Sequence, residues 1–176
     1  MVLNILIPVI CIVLDQIVKY WAATDLQARG TIPLWEGVFH LTYCENTGAA
    51  FSMFSDNRWV FMVFSVIAMM IMTYLLVKFH GRHWLLSVSL AAVLGGGIGN
   101  MIDRGLSGYV VDFLDFQVMK FAVFNVADIF VTCGSVALAV YILFIEPKVE
   151  KRLQEQKEAA SAAEEGTHEG NDDGDQ

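Results

Sequence analysis

Four stretches of this chain are apolar for about as long as a lipid bilayer is thick: Val2–Ala23, Trp59–Phe79, Trp84–Ile102 and Ile129–Ile145. A helix crossing the hydrocarbon core needs roughly 20 apolar residues, and about 17 at the least. All four meet that length, the last narrowly. Trp21, Trp59, Trp84 and Tyr20 lie near segment ends, where amphipathic rings settle at the headgroup level. Long core helices of a soluble bundle keep a polar face, and these stretches have none. Composition agrees, because 56% of the 176 residues are hydrophobic and 17% charged, against about a quarter charged in a soluble domain. The formal net charge of −8 belongs to the tail: after Lys157 come seven acidic residues and no Lys or Arg. Without them 12 acidic groups face 11 basic ones, so charge points to no acidic or basic partner, and no nucleic acid is expected.

The first stretch does not read as a cleaved leader. No Lys or Arg precedes Lys19, and Asp15, Gln16 and Lys19 interrupt it where a cleavage site would lie. Nor does Cys11 read as a lipidation site, since Ile10 before it is bulky. Orientation follows from Lys and Arg in the loops. Lys78, Arg82, Lys148, Lys151, Arg152 and Lys157 fall on one side; Arg29, Arg58, Arg104 and Lys120 fall on the other. That bias predicts both termini in the cytoplasm and the two longer loops outside. Within those loops, Phe39, Leu41 and Tyr43 alternate with His40, Thr42 and Cys44, and Tyr109–Phe116 is rich in β-branched and aromatic residues. Both read as strands, so a small sheet resting on the outer surface is expected. Cys11, Cys44 and Cys133 are scattered and imply no disulfide framework.

Polar residues inside apolar segments carry the chemistry, because a charge at mid-bilayer costs roughly 2.5–3.5 kcal/mol on insertion scales. Asp15 and Lys19 stand one turn apart and can neutralise each other, either as a structural pair or as a proton relay. Asp103 and Arg104 end the third stretch, where Arg104 could pair inward or meet a lipid phosphate. Gly95–Gly99 is a close-packing stripe, or a faint phosphate loop with no preceding strand. Asn100 follows it and needs a partner within the bundle.

Asp112 sits in the otherwise apolar Val110–Phe113, and Asp128 where the fourth stretch enters from outside. The intervening loop is long enough to bring both carboxylates to one depth. Two carboxylates in a poorly solvated site share a proton, giving a base for water and an acid for an amide. Spacing alone leaves separate structural carboxylates open.

Five blocks settle the resemblance: Asp15–Lys19; Asn46–Ser52; Gly95–Arg104; Val111–Phe113; and Phe124–Asp128. In order, and set against four apolar stretches, they resemble lipoprotein signal peptidase (signal peptidase II) from roughly Leu14 to Phe144. The resemblance implies an all-α membrane protein of four transmembrane helices with a small extracytoplasmic β-cradle. The peptidase domain would be 1–146, with spans at about 2–23, 59–79, 84–102 and 126–146 and outer loops 24–58 and 103–125. A cytoplasmic tail, 147–176, would be disordered from about 158. The implied activity is that of an intramembrane aspartyl endopeptidase acting on diacylglyceryl-modified prolipoproteins, N-terminal to the lipidated cysteine, with membrane lipid as its medium. By motif, Asp112 and Asp128 would be catalytic. Asn46, Asn100, Arg104 and Asn125 would bind substrate, while Asp15, Lys19, Gly48 and Asp103 would support the site.

Other enzyme classes fit less well. His40, His80, His83 and His168 all lie in loops or the tail, so no serine–histidine pair sits within a span. HExxH is absent, and Gly97–Ile98–Gly99 is followed by Asn100 rather than Asp. Neither a metal nor a cofactor is expected. A proton-coupled transporter using Asp15 and Lys19 would need repeats that the chain lacks.

Overall fold

The computed structural model describes residues 2–48, 58–118 and 121–169. The chain falls into two units, Met1–Leu138 and Ala139–Gln176.

The first unit opens with α1 (Val2–Trp21), followed by a π-helical turn, Ala22–Leu26, and a last helical turn, α2 (Gln27–Arg29). The first helical stretch is therefore longer than 2–23, reaching Arg29. Its buried positions, Pro8, Cys11, Asp15, Lys19, Ala22 and Leu26, recur every three or four residues and form one stripe. Val2, Ile5, Val9, Val13 and Ile17 face outward and are exposed. Polar groups inside and large apolar groups outside invert the pattern of a soluble helix, as a hydrocarbon solvent requires.

α3 (Arg58–Lys78) and α4 (Trp84–Leu106) follow, joined by a tight turn. His83 caps α4, its Nδ1 accepting from the Leu85 N–H at 3.2 Å. Glycines let α4 approach its neighbours. A Cβ on Gly95 would lie 2.7 Å from Cys11 Cβ, and one on Gly96 would lie 2.5 Å from the Ala127 carbonyl. Close helix packing, not phosphate binding, is thus what the glycine run serves. α5 (Val126–Val140) runs beside it. By length and composition, Val2–Arg29, Trp84–Leu106 and Val126–Ser161 can each cross a membrane. A further apolar run, Met62–Lys78 within α3, is shorter.

The sheet has three antiparallel strands in the order β1 (Thr31–Trp35), β2 (Phe39–Asn46), β3 (Val110–Phe116). β2 and β3 lie where alternation and β-branching place strands. β1 has no such signal: it is short and carries Pro33, which an edge strand tolerates. The sheet rests on the π-helical turn. Phe113, Ala22 and Leu26 are buried together, with Ile32, Leu41 and Tyr43 packed around them. Burying a side chain of Phe113's size contributes about 1.5–3 kcal/mol, which ties β3 to the end of the first helix.

In the second unit, Tyr141–Ile145 forms a π-helical turn whose Tyr141 hydroxyl donates to Glu146. α6 (Glu146–Glu169) continues past residue 158, where composition predicts disorder. Ala and Glu dominate there, and both are strong helix formers.

Candidate active site

The residue before α5 builds the site's first part. Asn125 Oδ1 accepts from the Asp128 N–H at 3.0 Å, and Asp128 Oδ2 accepts from the Asn125 N–H at 3.2 Å. This reciprocal pair is a capping box made of Asn and Asp. It fixes the Asp128 side chain in the first turn of the helix, where the macrodipole favours negative charge.

Asp112 comes from β3 and is 1% exposed. Its Oδ1 accepts from Asn125 Nδ2 at 2.6 Å and its Oδ2 from Asn46 Nδ2 at 2.8 Å. Asn46 is itself held, its Oδ1 accepting from the Gly48 N–H at 2.9 Å. Gly48 has φ +105°, a conformation that favours glycine. Burial first, with Asp128's charge adding, pushes the Asp112 carboxyl up to about 6, against the pull of the Asn46 and Asn125 hydrogen bonds. Cys44 pairs with Asp112 in register. Burial, reinforced by Asp112, pushes its thiol up.

A buried cation orients the amides between the two aspartates. Lys19 Nζ lies 2.8 Å from Asp15 Oδ2, 2.9 Å from Asp103 Oδ2 and 2.7 Å from Asn100 Oδ1. An ammonium only donates, so the Asn100 oxygen must face Lys19. That same oxygen accepts from Asn125 Nδ2 at 3.1 Å. The Asn100 Nδ2 is left to donate to Asp128 Oδ1, at 2.8 Å. Asp112 and Asp128 are therefore joined through two asparagines whose orientation traces to one lysine. A cavity of about 550 Å³ opens beside them, lined by Asn46, Asp128 and an apolar wall that includes Phe121, Phe124 and Ile129.

The chain has relatives. The family model described as signal peptidase (SPase) II matches residues 7–144. The chain belongs to the signal peptidase II family. It is 41% identical over 150 residues to the lipoprotein signal peptidase of Clostridioides difficile (strain 630), covering 83% of this chain and 98% of that one. Against the lipoprotein signal peptidase of Caldanaerobacter subterraneus it is 43% identical over 140 residues, covering 80% of this chain and 95% of that one. A bacterial membrane enzyme solved by the in meso method at 1.9 Å resolution superposes with TM-score 0.74 at 29% identity, covering 81% of this chain and 93% of the other. A second bacterial membrane enzyme, solved by the same method at 2.3 Å, gives TM-score 0.73 at 30% identity, covering 80% and 87%. This chain is thus a peptidase of a family that processes lipoprotein precursors, and its apolar helices fit a multi-pass bacterial membrane protein.

In this signal peptidase II chain the residues singled out from sequence converge, apart from Ala49–Ser52, which lie outside the described residues. Asp15, Lys19 and Asp103 form the ion cluster. Asp15 Oδ1 also accepts from the Ala127 N–H at 2.9 Å, and Asp103 Oδ2 from the Val111 N–H at 3.2 Å. These bonds tie the cluster to α5 and β3. Arg104 Nη1 donates to the Asn100 carbonyl at 3.4 Å. Gln16 has no site role in the sequence reading, although it lies inside the first motif block. Its Nε2 donates to Asp103 Oδ1 at 2.9 Å, the Gly99 carbonyl at 3.2 Å and Asp15 Oδ2 at 3.3 Å. A polar residue one position after Asp15, on a helix whose exposed positions are apolar, was the available signal. Asp115 was also missed. It is buried and accepts from Thr42 Oγ1 at 2.9 Å, bracing β2 against β3. Among the described residues, no three His, Cys, Asp or Glu side chains converge as metal ligands.

Proposed function

We propose that this protein is an intramembrane aspartyl endopeptidase that removes the signal peptide from diacylglyceryl-modified prolipoproteins, cutting N-terminal to the lipidated cysteine. One observation carries the reading: two carboxylates, Asp112 and Asp128, linked through the amides of Asn125 and Asn100 beside an open, largely apolar cavity. The pair holds one proton. Its ionised member takes a proton from water as the water oxygen attacks the scissile carbonyl. Its protonated member donates to the carbonyl oxygen and, on collapse, a proton passes to the departing amine. The acid and base roles belong to the pair rather than to either residue. Asn46, Asn100, Asn125 and Arg104 are positioned to hold the substrate backbone, and Asp15, Lys19, Gly48 and Asp103 support them. Each buried methylene of the substrate lipid, at about 0.8 kcal/mol, anchors the peptide in the bilayer that surrounds the site.

Purified protein should cleave a diacylated precursor and leave the non-lipidated precursor intact. Equal turnover of both would remove the lipid from the recognition and overturn the substrate assignment.

The reading also includes a topology of four crossings, with α3 as the second, both termini in the cytoplasm and the aspartates near the outer leaflet. With the native cysteines replaced, Ser107→Cys should react with a membrane-impermeant thiol reagent in intact cells, and Lys148→Cys only after lysis. Labelling of Lys148→Cys in intact cells would put the aspartates on the wrong face for a secreted substrate.

A further inference from the structure

We propose that a groove far from the aspartates, between α1 and α3 on the surface of α4, seats one acyl chain of an anionic phospholipid. The groove has a volume of about 490 Å³. At about 30 Å³ per group, the space a water molecule occupies in the liquid, it takes on the order of 16 methylenes. That is about one acyl chain. Its walls are Val9 and Ile12 of α1, Leu76 and Val77 of α3, and Leu94 and Ile98 of α4. Thr73 also lines it, but its hydroxyl donates back to the Met69 carbonyl at 2.8 Å and offers the groove nothing. Polar groups gather at one end only. There Asn4 Nδ2 donates to the Leu76 carbonyl at 3.3 Å and lies 3.1 Å from His80 Nδ1.

From Asn4 to Ile12 the helix rises about 12 Å, and along that length the walls present hydrocarbon. Water there would lack hydrogen-bond partners, and an empty groove would forfeit the contacts of its lining. A lipid chain meets neither penalty. Yet a chain gains little in apolar burial by moving from bilayer to groove, so selection among lipids must come from shape and from the headgroup.

Charge at the polar end chooses the headgroup. Lys78, His80, Arg82 and His83 fall within the turn that joins α3 to α4. Lys78 Nζ stands 5.4 Å from both the Tyr74 and Phe79 ring centres, and Arg82 Cζ 5.7 Å from that of Phe79. The aromatic faces hold both cations within the turn that carries His80, the groove's own residue at that end. No acidic residue occurs in Val2–Leu14, in Arg58–Lys78, or from Gly81 to Ile102. A phosphate at this end therefore meets no carboxylate from those stretches of α1, α3 and α4, each Lys or Arg near an anionic surface being worth about 1 kcal/mol. The seat lies on the leaflet at the Lys78–His83 end, with no part of the ion cluster or the aspartates in its lining.

The experiment is native mass spectrometry of the full-length protein released from vesicles of phosphatidylglycerol and phosphatidylcholine in equal amounts. The wild type should carry one phosphatidylglycerol. Val9→Trp, which fills the groove from an exposed position, should lower its occupancy at least fivefold. Lys78→Gln with Arg82→Gln should do the same. Val136→Trp, on a lipid-facing position outside the groove, should not. Asp112→Asn should also retain the lipid, which separates this test from that of the peptidase reading. Equal retention of phosphatidylcholine, undiminished retention by Val9→Trp, or equal loss in Val136→Trp would each overturn the proposal.

Discussion

Asp112→Asn and Asp128→Asn should each lower cleavage of a diacylated precursor by about 10³-fold or more while leaving the protein folded and inserted. Positioned acid–base groups contribute typically 10²–10⁴-fold each, and here both functions hang on one shared proton that an amide can neither give nor take. Asparagine preserves the side chain's volume, so Asp112→Asn keeps an oxygen to accept from Asn125 Nδ2. The loss should fall on kcat, with precursor binding retained. The pH dependence has a definite sign. Asp112 is pushed up to about 6 by burial, with Asp128's charge adding, so the free enzyme holds its proton below that pH and loses it above. kcat/KM, which reports the free enzyme, should decline as pH rises through about 6. The same shift makes folding less favourable as pH climbs from the ordinary carboxylate range towards 6, because the fold disfavours the ionised form. More than a tenth of wild-type turnover in either variant would remove the two-aspartate mechanism.

Why was so much of this site legible in the chain, and where did legibility stop? Apolar segments make polar residues conspicuous, since each must find a partner or face a cavity. Asp15 and Lys19, one turn apart on an apolar helix, pair directly. Asp112, an acid in a strand of Val, Phe and Leu, is buried and accepts from Asn46 and Asn125. Distances across the fold are a different matter. That Lys19 reaches Asn100 and Asp103, some 80 residues away in sequence, depends on glycines that draw α4 onto α1. The capping box went unread although it was readable: an Asn three residues before an Asp at the head of an apolar run carries its own geometry. β1 was not, because pairing with β2 makes it a strand where five residues including a proline would not. The π-helical turn at Ala22–Leu26 is likewise set by what packs on it. α6 shows the opposite limit: a polar segment with no apolar periodicity still has strong helix propensity.

Lys19→Met should be the most damaging single change in the ion cluster. Asp15 is 0% exposed and Asp103 8%, and Lys19 is the cation that both contact. Removing one partner of a buried ionic network typically costs about 3–5 kcal/mol, because the remaining charges stay buried without compensation. Against a total stability of about 5–15 kcal/mol, that is a large fraction. Gln16 Nε2 and the Ala127 and Val111 N–H groups still donate to these carboxylates, which offsets part of the loss but supplies no charge. The effect reaches the aspartates through Asn100. Without the lysine, the Asn100 oxygen keeps only Asn125 as a donor, and nothing of fixed polarity prevents the amide from turning its oxygen towards Asp128. Turnover should therefore fall in whatever fraction remains folded, mainly in kcat. Asp103→Asn added to Lys19→Met removes one stranded charge and should recover part of the stability, a coupling that a double-mutant cycle reads directly. Thermal unfolding in detergent gives the four corners of that cycle. If Lys19→Met shifted stability by less than about 0.5 kcal/mol, the scale of an ordinary surface substitution, the cluster would not be holding α1 to α4. If the second substitution made matters worse, Asp103 would be acting through its bond to the Val111 N–H rather than through its charge.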